Sequence, residues 1–170
     1  LHSFPTRRSS DLAINNLRFY PGICYQDVPF THECYIKASK CIRVYQPLNI
    51  YRVNRPGAAT TSFSKKKAMD FCTAIVKTWE LTHYDGLSPI IKQKIQNDVF
   101  TSFSRLCYLT LHTITDKKYR TFLLNHLKKE APDMVFKNGH NQRIHSFLFR
   151  RMPCLFFNLL ELRQNCKYHL

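Results

Sequence analysis

The spacing of apolar and polar positions changes once along the chain, near Ser64. Before it the pattern is short and extended. Residues 17–25, LRFYPGICY, read as a strand broken at the Pro21-Gly22 turn pair. Residues 41–45, CIRVY, read as a second strand that stops before Pro47. In residues 48–53, LNIYRV, Leu48, Ile50 and Arg52 fall on one face and Asn49, Tyr51 and Val53 on the other. Pro56-Gly57 then suits a type II turn. Between the first two strands Phe30, Cys34 and Ala38 recur at helical spacing, predicting a short helix over about residues 28–40. Asp27 suits its N-cap, and Pro29 sits in the first turn, where a missing N–H does no harm.

Beyond Ser64 the period is 3.6. Ala68, Cys72, Ile75, Val76 and Trp79 predict a helix over about residues 65–82. Ser88-Pro89 reads as N-cap and N1 of the next, with Ile91, Ile95, Val99, Ser102, Leu106 and Leu109 as its inner stripe. Asp116 caps a third, with Tyr119, Leu123 and Leu127 inward, and Pro132 ends it. After the Asn138-Gly139 turn, Ile144, Leu148, Met152, Leu155, Leu159 and Leu162 predict a fourth, kinked at Pro153. The expected architecture is therefore mixed α/β over residues 13–62 and helical over residues 63–170.

Composition narrows the function classes. Hydrophobic residues make up 44% and aromatics 14%, which excludes a disordered chain. Four glycines, at 22, 57, 86 and 139, leave no room for a dinucleotide-binding or P-loop glycine motif. Seven cysteines, at 24, 34, 41, 72, 107, 154 and 166, have no CxxC pair and are expected as reduced core thiols rather than zinc ligands. His140 and His145 are five apart, a poor fit to one helical face, so no metal pair is expected there.

Residues 2–12, HSFPTRRSSDL, resemble the translation of a common sequencing-library adapter. Residues 1–12 are accordingly expected to be adapter-derived, with the native protein beginning upstream of Ala13. The whole chain has 26 basic and 11 acidic residues, a net charge of +15. Removing the two arginines and one aspartate of the first twelve leaves +14 over 158 residues. That charge is spread evenly: +4 over residues 13–64, +5 over 65–135 and +5 over 136–170. A nucleic-acid binder concentrates its charge in a stripe. The even spread, with no zinc-finger, helix-turn-helix or RNP motif, argues against a nucleic-acid partner. A basic helical nucleic-acid-binding or interaction module remains the alternative reading.

The chemistry-bearing stretch is residues 19–61. Asp27 follows a strand-like segment and opens a helix, so its carboxylate lies at the positive end of the helix dipole. Two roles fit such a residue. It can cap the helix, or it can take a proton from a substrate hydroxyl. The order of motifs here is Gly22-Ile23, Gln26-Asp27-Val28-Pro29-Phe30, Lys37-Ala38, Pro47-Leu48-Asn49-Ile50-Tyr51-Arg52 and Arg55-Pro56-Gly57-Ala58-Ala59-Thr60-Thr61. This order and spacing resembles the second half of the catalytic domain of family 2 glycosyltransferases, of the GT-A type, the bacterial enzymes of cell-surface polysaccharide assembly.

The resemblance implies sugar transfer from a nucleotide-sugar donor to a glycan or lipid-linked acceptor hydroxyl, with inversion. It makes Asp27 the catalytic base. Gln26 stands where the family has glutamate, keeping hydrogen-bonding capacity without the charge. Gln26, Arg52 and Arg55 become substrate-binding candidates, since guanidinium forks match phosphate oxygens. The family's divalent metal, Mn²⁺ or Mg²⁺, is held by an Asp-x-Asp in the preceding half, and this chain has no Asp-x-Asp. The resemblance thus implies an acceptor-side fragment that is inactive alone, followed by a helical extension. It also implies a cytoplasmic location at the inner face of the membrane. A peripheral membrane contact is expected through the basic, aromatic last helix, with Phe147, Phe149, Arg150, Arg151, Phe156 and Phe157.

Overall fold

The computed structural model describes residue 12 and residues 15–42, 44–47 and 62–167, with side chains through Leu162. Every regular element among them is helical. These are α1 (Asp27–Lys37), α2 (Lys65–Glu80), a 3-10 turn (Leu81–His83), α3 (Pro89–Thr113), α4 (Lys117–Glu130), α5 (His140–Arg151) and α6 (Pro153–Lys167).

This corrects the expected α/β architecture and, with it, the GT-A fold that the resemblance implied, since no strand or sheet occurs among the described residues. Residues 17–25 run as irregular chain and turns, and the described part of 41–45 carries no strand. The stretch at 48–53 lies outside the described residues. The physical reason is that alternation alone does not make a strand: its N–H and C=O groups must be paired by a neighbour. Residues 15–20 instead wrap α1. Phe19 stacks on Phe30 with ring centres 4.0 Å apart, and Leu17, Phe30 and Cys34 form a small second core, against which Leu12 packs.

The helices form where local signals place them. Ser64 caps α2 by accepting the Lys67 N–H, Ser88 caps α3 through the Ile91 N–H, and Asp116 caps α4 through the Tyr119 N–H. Pro89 occupies the first turn of α3. α2 is the central element, packing against α1, α3 and α4, while α6 packs on α3, α4 and α5. The main core joins Phe71, Ile75 and Trp79 of α2 to Val99, Phe103 and Leu106 of α3, and Leu123 and Leu127 of α4. Phe103 lies among the rings of Phe136, Phe149 and Phe156, at 5.2–5.7 Å. Edge-to-face and tilted rings at this spacing add to the burial energy.

Two stripe expectations shift. In α3 the buried set is Ile95, Val99, Phe103, Leu106, Cys107, Thr110 and Leu111, whereas Ile91 is exposed. In the tail, Ile144, Met152, Leu155, Leu159 and Leu162 are exposed, and Phe149, Phe156 and Phe157 are buried. The cause is Pro153. It forces Met152 out of helical angles (φ −137°, ψ 53°), so α5 and α6 are separate helices with independent phases. A stripe drawn across one continuous helix therefore does not survive.

Arg120 closes the C-terminal end of α3. It is buried, and its Nε and Nη2 donate to the carbonyls of Ile114 (2.6 Å) and Leu111 (2.9 Å). Helix ends leave such carbonyls without intrahelical partners, so the guanidinium answers a real need. On the far side, Trp79 Nε1 donates to both carboxylate oxygens of Asp133 (3.2 and 3.1 Å), which His83 also contacts at 2.8 Å.

Candidate functional site

Asp27 stands in the first turn of α1 and is exposed. It is not the N-cap that the sequence suggested. That position belongs to Gln26, already at helical angles (φ −60°, ψ −21°), and no side chain caps the helix there. The chain reaches this start through Tyr25, a non-glycine residue in the left-handed region at φ 66°. Such a backbone persists only where its surroundings hold it.

Two contacts hold it, and a third, within α2, fixes the carboxylate that makes one of them. The Tyr25 ring stacks on Phe71 of α2, with centres 4.2 Å apart and planes at 18°. The Cys24 N–H donates to Oδ2 of Asp70 at 3.1 Å. Lys66 Nζ donates to the same oxygen at 2.8 Å. Asp70 is buried among the apolar residues of α2. Burial pushes its carboxyl upward, but the Lys66 hydrogen bond, the Cys24 N–H and the Lys66 charge outweigh that and hold it below the ordinary value. On the other side of α1, His32 joins Nδ1 to the Val28 carbonyl (2.8 Å) and Nε2 to Asp98 of α3 (3.2 Å). His32 thus braces α1 on the bundle.

The turn and first helical turn carrying Gln26 and Asp27 are thereby fixed to a helical platform that the 19–61 motif does not include. Chemically, the arrangement offers one exposed carboxylate at the positive end of a short helix, on a turn braced from two sides. Gln26 is half-buried beside it. Arg52 and Arg55, the other binding candidates, lie outside the described residues. Asp70, Phe71 and Tyr25 were missed by sequence reasoning. One signal was available: Asp70 is an acidic residue set between Ala68 and Phe71 on an otherwise apolar run.

Among the described residues no three His, Cys, Asp or Glu side chains gather in a way that could hold a metal ion. The described residues offer no ligand set for the divalent ion, which the resemblance places in the half preceding this chain's motif. The cysteines divide: Cys34, Cys72 and Cys107 are buried, whereas Cys41 and Cys154 are exposed, so the expectation of core thiols holds for only part of the set. Burial raises the thiols of Cys72 and Cys107 well above their ordinary value, which leaves them chemically quiet. Among the described residues no helix is long and apolar enough to cross a membrane.

No family model, curated protein or solved structure matches the chain.

Proposed function

We propose that this chain supplies the acceptor-side end of a glycosyltransferase site, in which Asp27 takes the proton from an acceptor hydroxyl as that oxygen attacks the sugar of a nucleotide-sugar donor. The nucleoside diphosphate is the leaving group, and the proton ends on the Asp27 carboxylate. The observation that carries this reading is the exposed Asp27 at the start of α1, on a left-handed turn that Asp70 and Phe71 hold in place. A base needs to be reachable and to start from a fixed backbone; Asp27 is exposed, and the turn that leads into it is held by Asp70 and Phe71. The ordered motif around it supports the same chemistry. The donor-binding half, and the metal that goes with it, belong in this reading to sequence preceding the motif.

The test is to express the chain with its native upstream coding sequence, in place of residues 1–12, beside the 170-residue chain. Both are incubated with a panel of nucleotide-sugars and Mn²⁺. Turnover by the longer protein and none by the shorter is the expected result. An upstream frame that stops close to Ala13, or turnover by the shorter chain, overturns the proposal.

A further inference from the structure

The tail of the bundle carries a surface that the transfer reading does not use. From residue 134 to residue 160 there are four basic side chains, Lys137, Arg143, Arg150 and Arg151, and no acidic one. On α5 the residues opposite the buried Phe149 are Ile144, Phe147 and Arg151, at successive turns of one face. Phe147 is 58% exposed and Ile144 41% exposed. Beside them a shallow groove of about 430 Å³ runs between Val135–Lys137 and α5, and no carboxylate lines it. Two of its three arginines are braced at the rim: Arg143 Nε donates to the Lys137 carbonyl at 3.2 Å, and Arg150 Nη1 donates to the Pro132 carbonyl. Each guanidinium keeps further N–H groups for an outside acceptor.

We infer that this outward face of α5 docks on an anionic phospholipid surface. Charge complementarity selects an anionic partner. The shape fits a bilayer: Phe147 and Ile144 are exposed on the convex side of α5, between Arg143 and Arg151, and the groove beside them is shallow and open. That arrangement suits apolar tips entering the acyl boundary while guanidinium groups meet lipid phosphates. Of the six residues the sequence offered for this role, Phe149, Phe156 and Phe157 are buried and take no part, while Phe147 and Arg151 lie on the outward face.

Co-sedimentation of the 170-residue chain with vesicles of phosphatidylcholine containing about 30% phosphatidylserine tests this, with neutral phosphatidylcholine vesicles as reference. The chain is expected to partition onto the anionic vesicles and not the neutral ones. The double variant Phe147→Ser/Arg151→Gln should bind about 30-fold more weakly. Both side chains are exposed, so the fold is expected to survive, and an unchanged circular dichroism melt checks it. Phe122→Ser/Lys118→Gln is the control, because α4 also exposes a phenylalanine beside lysines. Near-wild-type binding by this control supports the assignment. Equal weakening by the control, wild-type binding by the α5 variant, or tighter binding to polyglutamate or single-stranded DNA than to vesicles overturns it.

Discussion

Asp70 accepts the backbone N–H of Cys24 at 3.1 Å, across 46 positions of sequence. This bond joins the turn that presents Asp27 to the central helix of the bundle. Its partner charge, Lys66, is exposed and contributes little by itself. The buried carboxylate and the amide are the pair that matters, because losing one strands the other.

Replacing Asp70 with Ala should therefore cost about 1–3 kcal/mol of stability. It should also speed hydrogen exchange at the amides of Cys24 to Val28 more than in α4. Asp70→Asn keeps an acceptor and should recover part of both. Uniform exchange across the bundle in Asp70→Ala would show that the turn is held by something else.

Arg120 makes a second prediction. Arg120→Leu removes the donors to two carbonyls at the end of α3, and should lower stability by about 2–4 kcal/mol. Lys at this position can reach only with a single point charge and should restore less than half. Urea melts of the three proteins measure this, with the slope unchanged if the fold is kept.

Phe103 sits at the meeting point of three rings and is fully buried. Phe103→Ala should cost about 3–5 kcal/mol, whereas Phe147→Ala, on the outer face of α5, should cost less than about 0.5 kcal/mol. Thermal melts separate the two directly.

Acid should unfold the protein through three hydrogen-bonded carboxylates, of which Asp70 is buried, Asp116 caps α4 and Asp133 is exposed. Asp70, Asp133 and Asp116 all lie below the ordinary 3.8. For Asp70 and Asp133, burial works against this but hydrogen bonds from Lys66 and Cys24, and from Trp79 and His83, prevail. For Asp116 the Lys65 hydrogen bond leads. A folded-state value below the unfolded one gives stability that is present above the unfolded value and lost as pH falls through the folded one. Stability should thus fall below about pH 4, and Asp70→Asn should flatten that limb. An unchanged acid limb in Asp70→Asn contradicts the assignment.

The helical part was legible because its signals are local. Ser88-Pro89, Asp116 and Pro132 each act within one turn, and the helix bounds follow them. The expected strands failed because a strand is a statement about a partner that the 17–25 and 41–45 segments do not have among the described residues. The tail stripe failed at one proline, whose effect on phase is not visible in spacing alone. At the candidate site, Asp27 was singled out by its motif, whereas the residues that hold its turn were not. Asp70 and Phe71 belong to a different helix, and only the fold brings them to Cys24 and Tyr25.

The role of Asp27 as base is open to test by substitution in the upstream-extended protein. Transfer rates are measured for wild type, Asp27→Asn and Asp70→Asn with one nucleotide-sugar and saturating acceptor. A general base at Asp27 implies a loss in kcat of at least about 100-fold for Asp27→Asn, with donor KM little changed. Asp70→Asn, which acts only through the turn, should lose less than about tenfold. Full activity in Asp27→Asn would contradict the account.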